Sequence, residues 1–392
     1  MKRVLIVQNH YLNFGGDDSV VANESAMLRS RGHEVSLWTL RNDDLNRWGP
    51  RLETALHLAY NPAVRDRLAQ HIAEFQPDVM HCHNLFPRIT WSAYDAAAQA
   101  GVPVIQTLHD FRSVCCANGF QFRDGKDCDL CVKGSTYWAA WHRCYRDSWL
   151  GSLLVARALD VHRRAGTLQR RVHRFIALSE SARRQYVEAG VPADRTVVKP
   201  NFIMDPGSPP AGAREGALFV GRLTAEKGVR VLARAWEEVD APLQVLGTGP
   251  LEADLRAASN PRITLRGHQP WPEVAAAMRR ASLLVMPSIA LEGFPMVIAE
   301  AFACGLPVIA GRFGTMAETI EDGVTGLLCT PGDAADLAAK VAWALAHPQR
   351  LAEMGAEARR VYEARYSDAA NHRQLIEIYE QAAASRGAEV AA

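Results

Sequence analysis

The residues from Ser282 to Pro307 constrain this chain more than any other stretch. Ser282-Leu283-Leu284-Val285-Met286-Pro287 is a short apolar run closed by proline, which reads as a buried strand. Ser288 to Gly293 follows as a loop, and Pro295 suits the first turn of a helix because its missing N–H costs nothing there. Met296 to Cys304 continues as an apolar helix that Gly305 and Pro307 end. The pattern is strand, loop, helix, with Gly293 where backbone must pass close to something. The first N–H groups of such a helix have no partner within it, so Phe294, Met296 and Val297 are placed to donate to an anion. Glu292 precedes that point and Glu300 lies inside the helix. A separation of eight is a little over two turns, so the two acids do not pair on one helical face. They are instead suited to hold opposite ends of one elongated ligand with a phosphate in its middle.

This stretch resembles the Glu-x7-Glu signature of the GT4 family, the group 1 glycosyltransferases. The likeness extends from Glu292-Gly293-Phe294-Pro295 through Ala303-Cys304-Gly305-Leu306-Pro307-Val308-Ile309-Ala310. The resemblance implies the α/β GT-B fold, two doubly wound Rossmann-like domains facing across a cleft. It also implies transfer of a hexose-type sugar from a UDP- or GDP-sugar to an acceptor hydroxyl. Family members are expected to retain anomeric configuration and to need no metal or other cofactor for catalysis. Glu292 would then contact sugar hydroxyls, and Glu300 the ribose.

Length and composition agree with such a chain. At 392 residues, two domains of similar size are expected. With 48% hydrophobic and 22% charged residues the composition is that of a globular protein, and a net charge of +1 argues against nucleic-acid binding. Met1 to Val7 is too short and too strand-like for a signal peptide, and no apolar run reaches a membrane span. A cytoplasmic protein with mostly reduced cysteines is the expectation.

In the first half, Arg3–Val7, His33–Trp38, Pro77–His83, Pro103–Asp110 and Phe175–Ser179 read as buried parallel strands. The first is followed by Gly15-Gly16 and a helix from about Ser19 to Arg31, without the G-x-G-x-x-G of a dinucleotide fold. From the residues, Gly15 and Gly16 suit an ordinary turn as well as a ligand contact; the resemblance implies backbone approach to the donor. Arg51 to Phe75 reads as mostly helical. Two strands deliver histidines to the carboxyl edge of the sheet, His81 and His83 from one, and His109 beside Asp110 from the next. A histidine there can be structural; the resemblance places His109 against the donor sugar.

Residues 112–146 break the alternation of strand and helix. Cys128-Asp129-Leu130-Cys131, flanked by Cys116 and Cys144, offers four thiolates for a structural zinc, although reduced core thiols or a disulfide fit the spacing too. Between Arg143 and Arg184 arginines outnumber acids, with Trp149, Leu150, Leu153, Leu154 and Val155 alongside. This reads as a solvated helical face, or as a peripheral contact with anionic lipid that brings a lipid-linked acceptor to the inner membrane face.

Gly207 to Gly212 is a proline-rich joint. Ala217–Arg222 restarts the alternation; Leu243–Pro250, a strand with a tight glycine turn, Ile263–His268, Ala310–Gly314 and Gly326–Cys329 continue a second sheet. Gly221-Arg222 and Glu226-Lys227-Gly228 match the family's diphosphate-binding pattern, which assigns Arg222 and Lys227 to the leaving diphosphate. Gly267 and His268 match the segment lying against the nucleotide base. The domain reading is 1–205 for the acceptor, 206–366 for the donor, and 367–392 as a helix crossing back. A nucleotide-sugar isomerase or a non-catalytic sugar-nucleotide binder on the same fold is the alternative.

Overall fold

The computed structural model describes residues 1–10, 16–43, 45, 47–117, 122–123, 126–207, 214–257 and 260–389. The chain divides into two compact units. The first takes in Met1–Arg123, Cys128–Asn201 and Asn371–Ala392; the second takes in Asp124–Asp127 and Phe202–Ala370. Each unit is built on a six-stranded sheet whose pairings are all parallel.

In the first unit the strands are β1 (Arg3–Asn9), β2 (Glu34–Leu40), β3 (Val79–Cys82), β4 (Val104–Leu108), β5 (Arg174–Ala177) and β6 (Thr196–Val198). Their order across the sheet is β2-β1-β3-β4-β5-β6. The central strands are buried on both faces, with Val4, Leu5, Ile6 and Val7 all inaccessible to solvent, as helical cover on both sides requires. The run expected to be helical from 51 to 75 is two helices, Trp48–Leu56 and Pro62–Phe75. Proline at 62 cannot continue a helix, but it starts one well, and the Asn61 side chain accepts from the Val64 N–H.

The second unit holds β7 (Ala217–Val220), β8 (Leu243–Leu246), β9 (Ile263–Gly267), β10 (Leu283–Met286), β11 (Val308–Gly311) and β12 (Gly326–Cys329). Their order is β9-β8-β7-β10-β11-β12. Strand β11 starts two residues earlier than the sequence reading and stops at Gly311, because Gly314–Thr319 already forms the next helix. Helix Val229–Glu238 lays Val229, Leu232, Ala235 and Trp236 onto one face of the sheet; helix Met296–Ala303 buries Ile298, Ala299, Ala301 and Phe302 on the other. After Tyr366, residues Asp368–Glu389 form one helix, in which Leu375, Tyr379 and Ala382 are buried.

In both sheets the strand order reverses direction once, between β1 and β3 and between β7 and β10. Ligands of open parallel sheets bind outside the carboxyl ends of the strands at such a reversal. In the second unit the reversal is held open by glycines. A Cβ on Gly228, whose φ is +70°, would lie 1.8 Å from the Pro287 carbonyl oxygen, and one on Gly247 would lie 1.9 Å from the Gly221 carbonyl oxygen. The loops after β7, β8 and β10 therefore touch backbone to backbone.

Gly228→Ala combines a left-handed backbone with a clash against main chain that no rotamer can relieve. It should lower unfolding stability by about 2–4 kcal/mol, read as a fall in midpoint in urea or heat. An unchanged midpoint would mean that the two loops are not locked together.

Candidate functional site

The reversal in the second unit gathers most of the residues singled out in that half of the sequence. The loop leaving β7 carries Arg222 and Lys227, and the loop leaving β10 carries Ser288 and Glu292. Lys227 Nζ donates to both carboxylate oxygens of Glu292 at 2.8 Å, and Ser288 Oγ donates to Glu292 Oε1 at 2.8 Å. Thr315 Oγ1 donates to the Glu292 carbonyl at 2.7 Å, and the Ile289 N–H to the Glu226 carbonyl at 2.9 Å. Glu292 is thus held at side chain and main chain while remaining partly open to solvent. Arg222 is exposed, with its guanidinium 3.7 Å from Glu226. It projects from the rim rather than joining the Lys227–Glu292 pair.

Helix Met296–Ala303 begins four residues after Glu292 and carries Glu300 on its fifth position. Pro295 sits just outside the helix in extended conformation, one step earlier than expected. Phe294 packs on Tyr366 with ring centroids 5.6 Å apart, which fixes the chain as it enters the helix. Phe294, Met296 and Val297 all lie partly buried against the core, so their main chain is rigid where its N–H groups lack helical partners. Glu300 is half-buried, and desolvation pushes its carboxyl up to about 7. Gly267 closes β9 with φ +68°, and its carbonyl accepts from the Gly247 N–H at 2.8 Å. The rim thus runs Gly267, Gly247, Gly221 as bare backbone. His268 beside it is exposed.

The first unit carries a second arrangement at its own carboxyl edge. A pocket of about 90 Å³ is lined by Asp17, His83, Trp91, His109, Asp110 and Tyr145, among others. His109 Nε2 lies 2.8 Å from His83 Nδ1, and its Nδ1, 4.0 Å from Asp17, has no hydrogen-bond partner among the described residues. Burial, with His83 close by, holds the His109 imidazole well below its ordinary pKa, so it is neutral at physiological pH. Burial raises Asp17 to about 7, helped by Asp110 and Asp18. Asp110 accepts from the Arg112 N–H and pairs with its guanidinium at 2.8 Å. Gly16 opens the helix Gly16–Ser30; Gly15 lies outside the described residues.

Beneath this pocket is a group that sequence reasoning missed. Glu24 is buried, with Lys199 Nζ at 3.6 Å and His81 Nδ1 at 3.0 Å. Burial opposes its charge, but Lys199 and His81 outweigh it and hold Glu24 well below the usual carboxylate range. His81 also meets the Tyr379 hydroxyl at 2.9 Å and Thr107 Oγ1 at 2.7 Å, and burial lowers it to about 4. A signal was present: Glu24 stands four residues from both Val20 and Leu28, on a helical face that also carries the apolar Val21 and Met27.

The four cysteines named above come together. Cys116, Cys128, Cys131 and Cys144 line one small cavity, with Cys115 beside them. Cys131 Sγ donates to the Thr136 carbonyl at 3.7 Å.

Comparison with known proteins agrees with the resemblance drawn from the sequence. The model of Glycosyltransferase Family 4 matches residues 14–204, and that of Glycosyl transferases group 1 matches residues 214–347. An uncharacterised glycosyltransferase of Methanocaldococcus jannaschii is 39% identical over 128 residues, 32% of this chain and 36% of that protein. A GDP-mannose-dependent alpha-(1-6)-phosphatidylinositol monomannoside mannosyltransferase of Mycolicibacterium smegmatis is 32% identical over 206 residues, 47% of this chain and 52% of that protein. The chain thus spans between a third and about half of the length of these two relatives. The crystal structure of Anabaena HepE in complex with UDP superposes with a TM-score of 0.67 at 19% identity, over 96% of this chain and 99% of that one. The chain belongs to the family 4, group 1 glycosyltransferases, and its fold is GT-B.

Glu300 gives the second-unit site a pH signature. Its folded pKa of about 7 lies above the ordinary 4.5, so below about pH 4.5 the proton is bound in both states and costs nothing. As pH rises to about 7, only the folded state still holds the proton, and stability is progressively lost. Glu300→Gln removes that loss. Its melting temperature relative to the parent should climb between pH 5 and pH 8, by the equivalent of about 1–2 kcal/mol. Parallel profiles for the two proteins would show that Glu300 is solvated.

Proposed function

We propose that this protein transfers a hexose-type sugar from a nucleoside diphosphate to an acceptor hydroxyl, with retention of anomeric configuration and without a catalytic metal. The observation that carries the reading is the Lys227–Glu292 pair, anchored by Ser288 and Thr315 at the strand reversal of the second unit. Breaking a sugar–diphosphate bond places negative charge on the diphosphate. A fixed ammonium at Lys227, the guanidinium of Arg222 and the N–H groups of Phe294, Met296 and Val297 are the groups available to offset it. Glu292 takes the sugar hydroxyls, leaving Lys227 to share itself between carboxylate and phosphate. Glu300, four residues into the helix, takes the ribose hydroxyls. The bare backbone at Gly267, with His268 at its edge, takes the base.

The first unit is assigned to the acceptor. Its pocket joins an apolar wall containing Trp91 and Tyr145 to the polar groups of Asp17, His83 and His109, a mixture suited to a hydroxylated ring. The neutral His109 offers Nδ1 as its polar contact to a sugar, the donor sugar in the role that the family likeness gives it, and Gly16 leaves open backbone at the start of its helix. In the retaining scheme the acceptor attacks on the face from which the diphosphate departs. The leaving phosphate then accepts the acceptor's proton, so no protein base is required. Names of relatives point to both GDP and UDP as donor nucleotides, and melting-temperature shifts with each would choose between them.

No helix of the described residues is long and apolar enough to cross a membrane. A lipid-linked acceptor would be met from the surface. Trp141, Trp149 and Leu150 are 78%, 55% and 58% exposed in the arginine-rich region from Arg143 to Arg184 and just before it. Vesicles rich in anionic phospholipid should co-sediment the protein at low salt and neutral vesicles should not; recovery in the supernatant with both removes the membrane contact.

Lys227→Ala should lower the rate of sugar transfer by about 10²–10³-fold, with folding unchanged by circular dichroism. The product anomer, read by NMR, should match the donor. Transfer at the parental rate would remove the diphosphate role, and an inverted product would remove the retaining scheme.

A further inference from the structure

We infer that Cys116, Cys128, Cys131 and Cys144 bind one structural zinc ion, which fastens the segment between the fourth and fifth strands of the first sheet. Five of the eight cysteines in the chain lie between positions 115 and 144, and all five line a single cavity. Its volume is about 20 Å³, room for one particle the size of a water molecule. Beyond the thiols, the described residues of its wall are Arg123 and the small or apolar Ala117, Val132 and Ala139, none of them an acid.

The five thiols are not equivalent. Cys115 belongs to the main core of the first unit and accepts the Ala117 N–H, as a packed thiol does. Cys116, by contrast, packs in a separate cluster with Cys131 and Cys144. Cys128 and Cys131 have the Cys-x-x-Cys spacing that lets two sulfurs from one turn reach the same ion. The ligands thus come from three places in the chain, and a bound ion would cross-link them.

The segment needs such a link. The part of it that holds the cysteines has, among the described residues, only short elements before the helix Trp149–Ala165: the paired strands Phe122–Arg123 and Lys126–Asp127 and the helical turns Phe111–Ser113, Leu130–Lys133 and Trp138–Trp141, with Trp138 and Trp141 pointing into solvent. A piece this size with so little apolar cover is held by cross-links when it is held at all. The chain beside Cys144 is also constrained: Arg143, Arg146 and Asp147 take left-handed backbone with φ of +50°, +53° and +53°. Such conformations persist where surrounding structure enforces them.

Charge is provided for. Four thiols release four protons to solvent as four zinc–sulfur bonds form, leaving a net charge of −2 on the centre. Arg123 lines the cavity, and the Arg163 guanidinium donates to the carbonyls of Cys131 at 3.1 Å and Gly134 at 2.9 Å. No three of these sulfurs lie within 4.8 Å of one another among the described residues. The ring of thiols is therefore wider than a filled tetrahedral centre, and it would contract on metal entry. The other candidate cluster, Glu24 with His81 and His83, already holds the ammonium of Lys199.

The test is metal analysis of the full-length protein, purified reduced and without chelator. It should contain about one zinc per chain. Exchange with Co(II) should give sulfur-to-cobalt charge-transfer absorption together with the intense visible bands of tetrahedral thiolate sites, a signature that the histidine cluster cannot produce. Cys128→Ser and Cys131→Ser should each lose the metal, and Cys115→Ser should keep it. Zinc well below stoichiometry, with no charge-transfer band when Co(II) is added to the reduced parent, would overturn the proposal whether or not the variants fold. Iron with acid-labile sulfide in place of zinc, or loss of zinc in Cys115→Ser alone, would overturn it equally.

Discussion

Everything in the second unit depends on how closely two loops can approach at the point where the strand order turns back on itself. Gly228 lies so near the Pro287 carbonyl that no side chain fits between them. That contact sets the distance over which Lys227 reaches Glu292; Ser288 then fixes the carboxylate from a second direction, and Thr315 holds the Glu292 main-chain carbonyl. Rigid positioning of opposite charges, rather than the charges themselves, separates a site from a surface ion pair. Exposed pairs contribute little because solvent screens them and both side chains must be ordered. Here the backbone is ordered in any case by the packing of helices onto the sheet.

The first unit faces the opposite electrostatic problem. Behind the His83 and His109 of its pocket lie an acid, a lysine and a further histidine with almost no access to water. Charges there persist only in pairs, so Glu24 stays ionised against Lys199 while His81 is neutral. His83 couples to His109, and His81 to the hydroxyls of Thr107 and Tyr379. A polar layer of this kind fixes side chains in one arrangement behind a pocket whose walls are largely apolar. The same low dielectric that strengthens each pair makes every unpaired atom costly. His109 Nδ1, without a hydrogen-bond partner among the described residues, is accordingly a position in that pocket that gains from a ligand.

Much of this was readable beforehand. The strand–loop–helix pattern around Glu292 located the reversal, because apolar runs bounded by proline and glycine have few other readings. Arg222 and Lys227 were found through the glycines around them, and the four cysteines through their crowding. Element ends were less legible: Pro62 split one expected helix, and β11 began at Val308 because neighbouring strands, not local residues, decide where pairing starts. Glu24 and Lys199 escaped notice for a different reason. A lone acid on an apolar helical face and a lysine before a proline are both common at surfaces, and their partners lie far away along the chain.

The sequence by itself determined the alternation of strand and helix, the places where backbone must pass close to backbone, and the family likeness carried by Glu292 through Ala310. These are local properties, set by residue volume, by periodicity and by the conformations open to glycine and proline. Tertiary structure alone decided that Lys227 binds Glu292, that Arg222 stands apart on the rim, that Glu300 is half-buried and that five cysteines face one small cavity. Distance through space and exclusion of water are properties of the folded chain. They arise when strands far apart in sequence become neighbours, and no window of residues contains them.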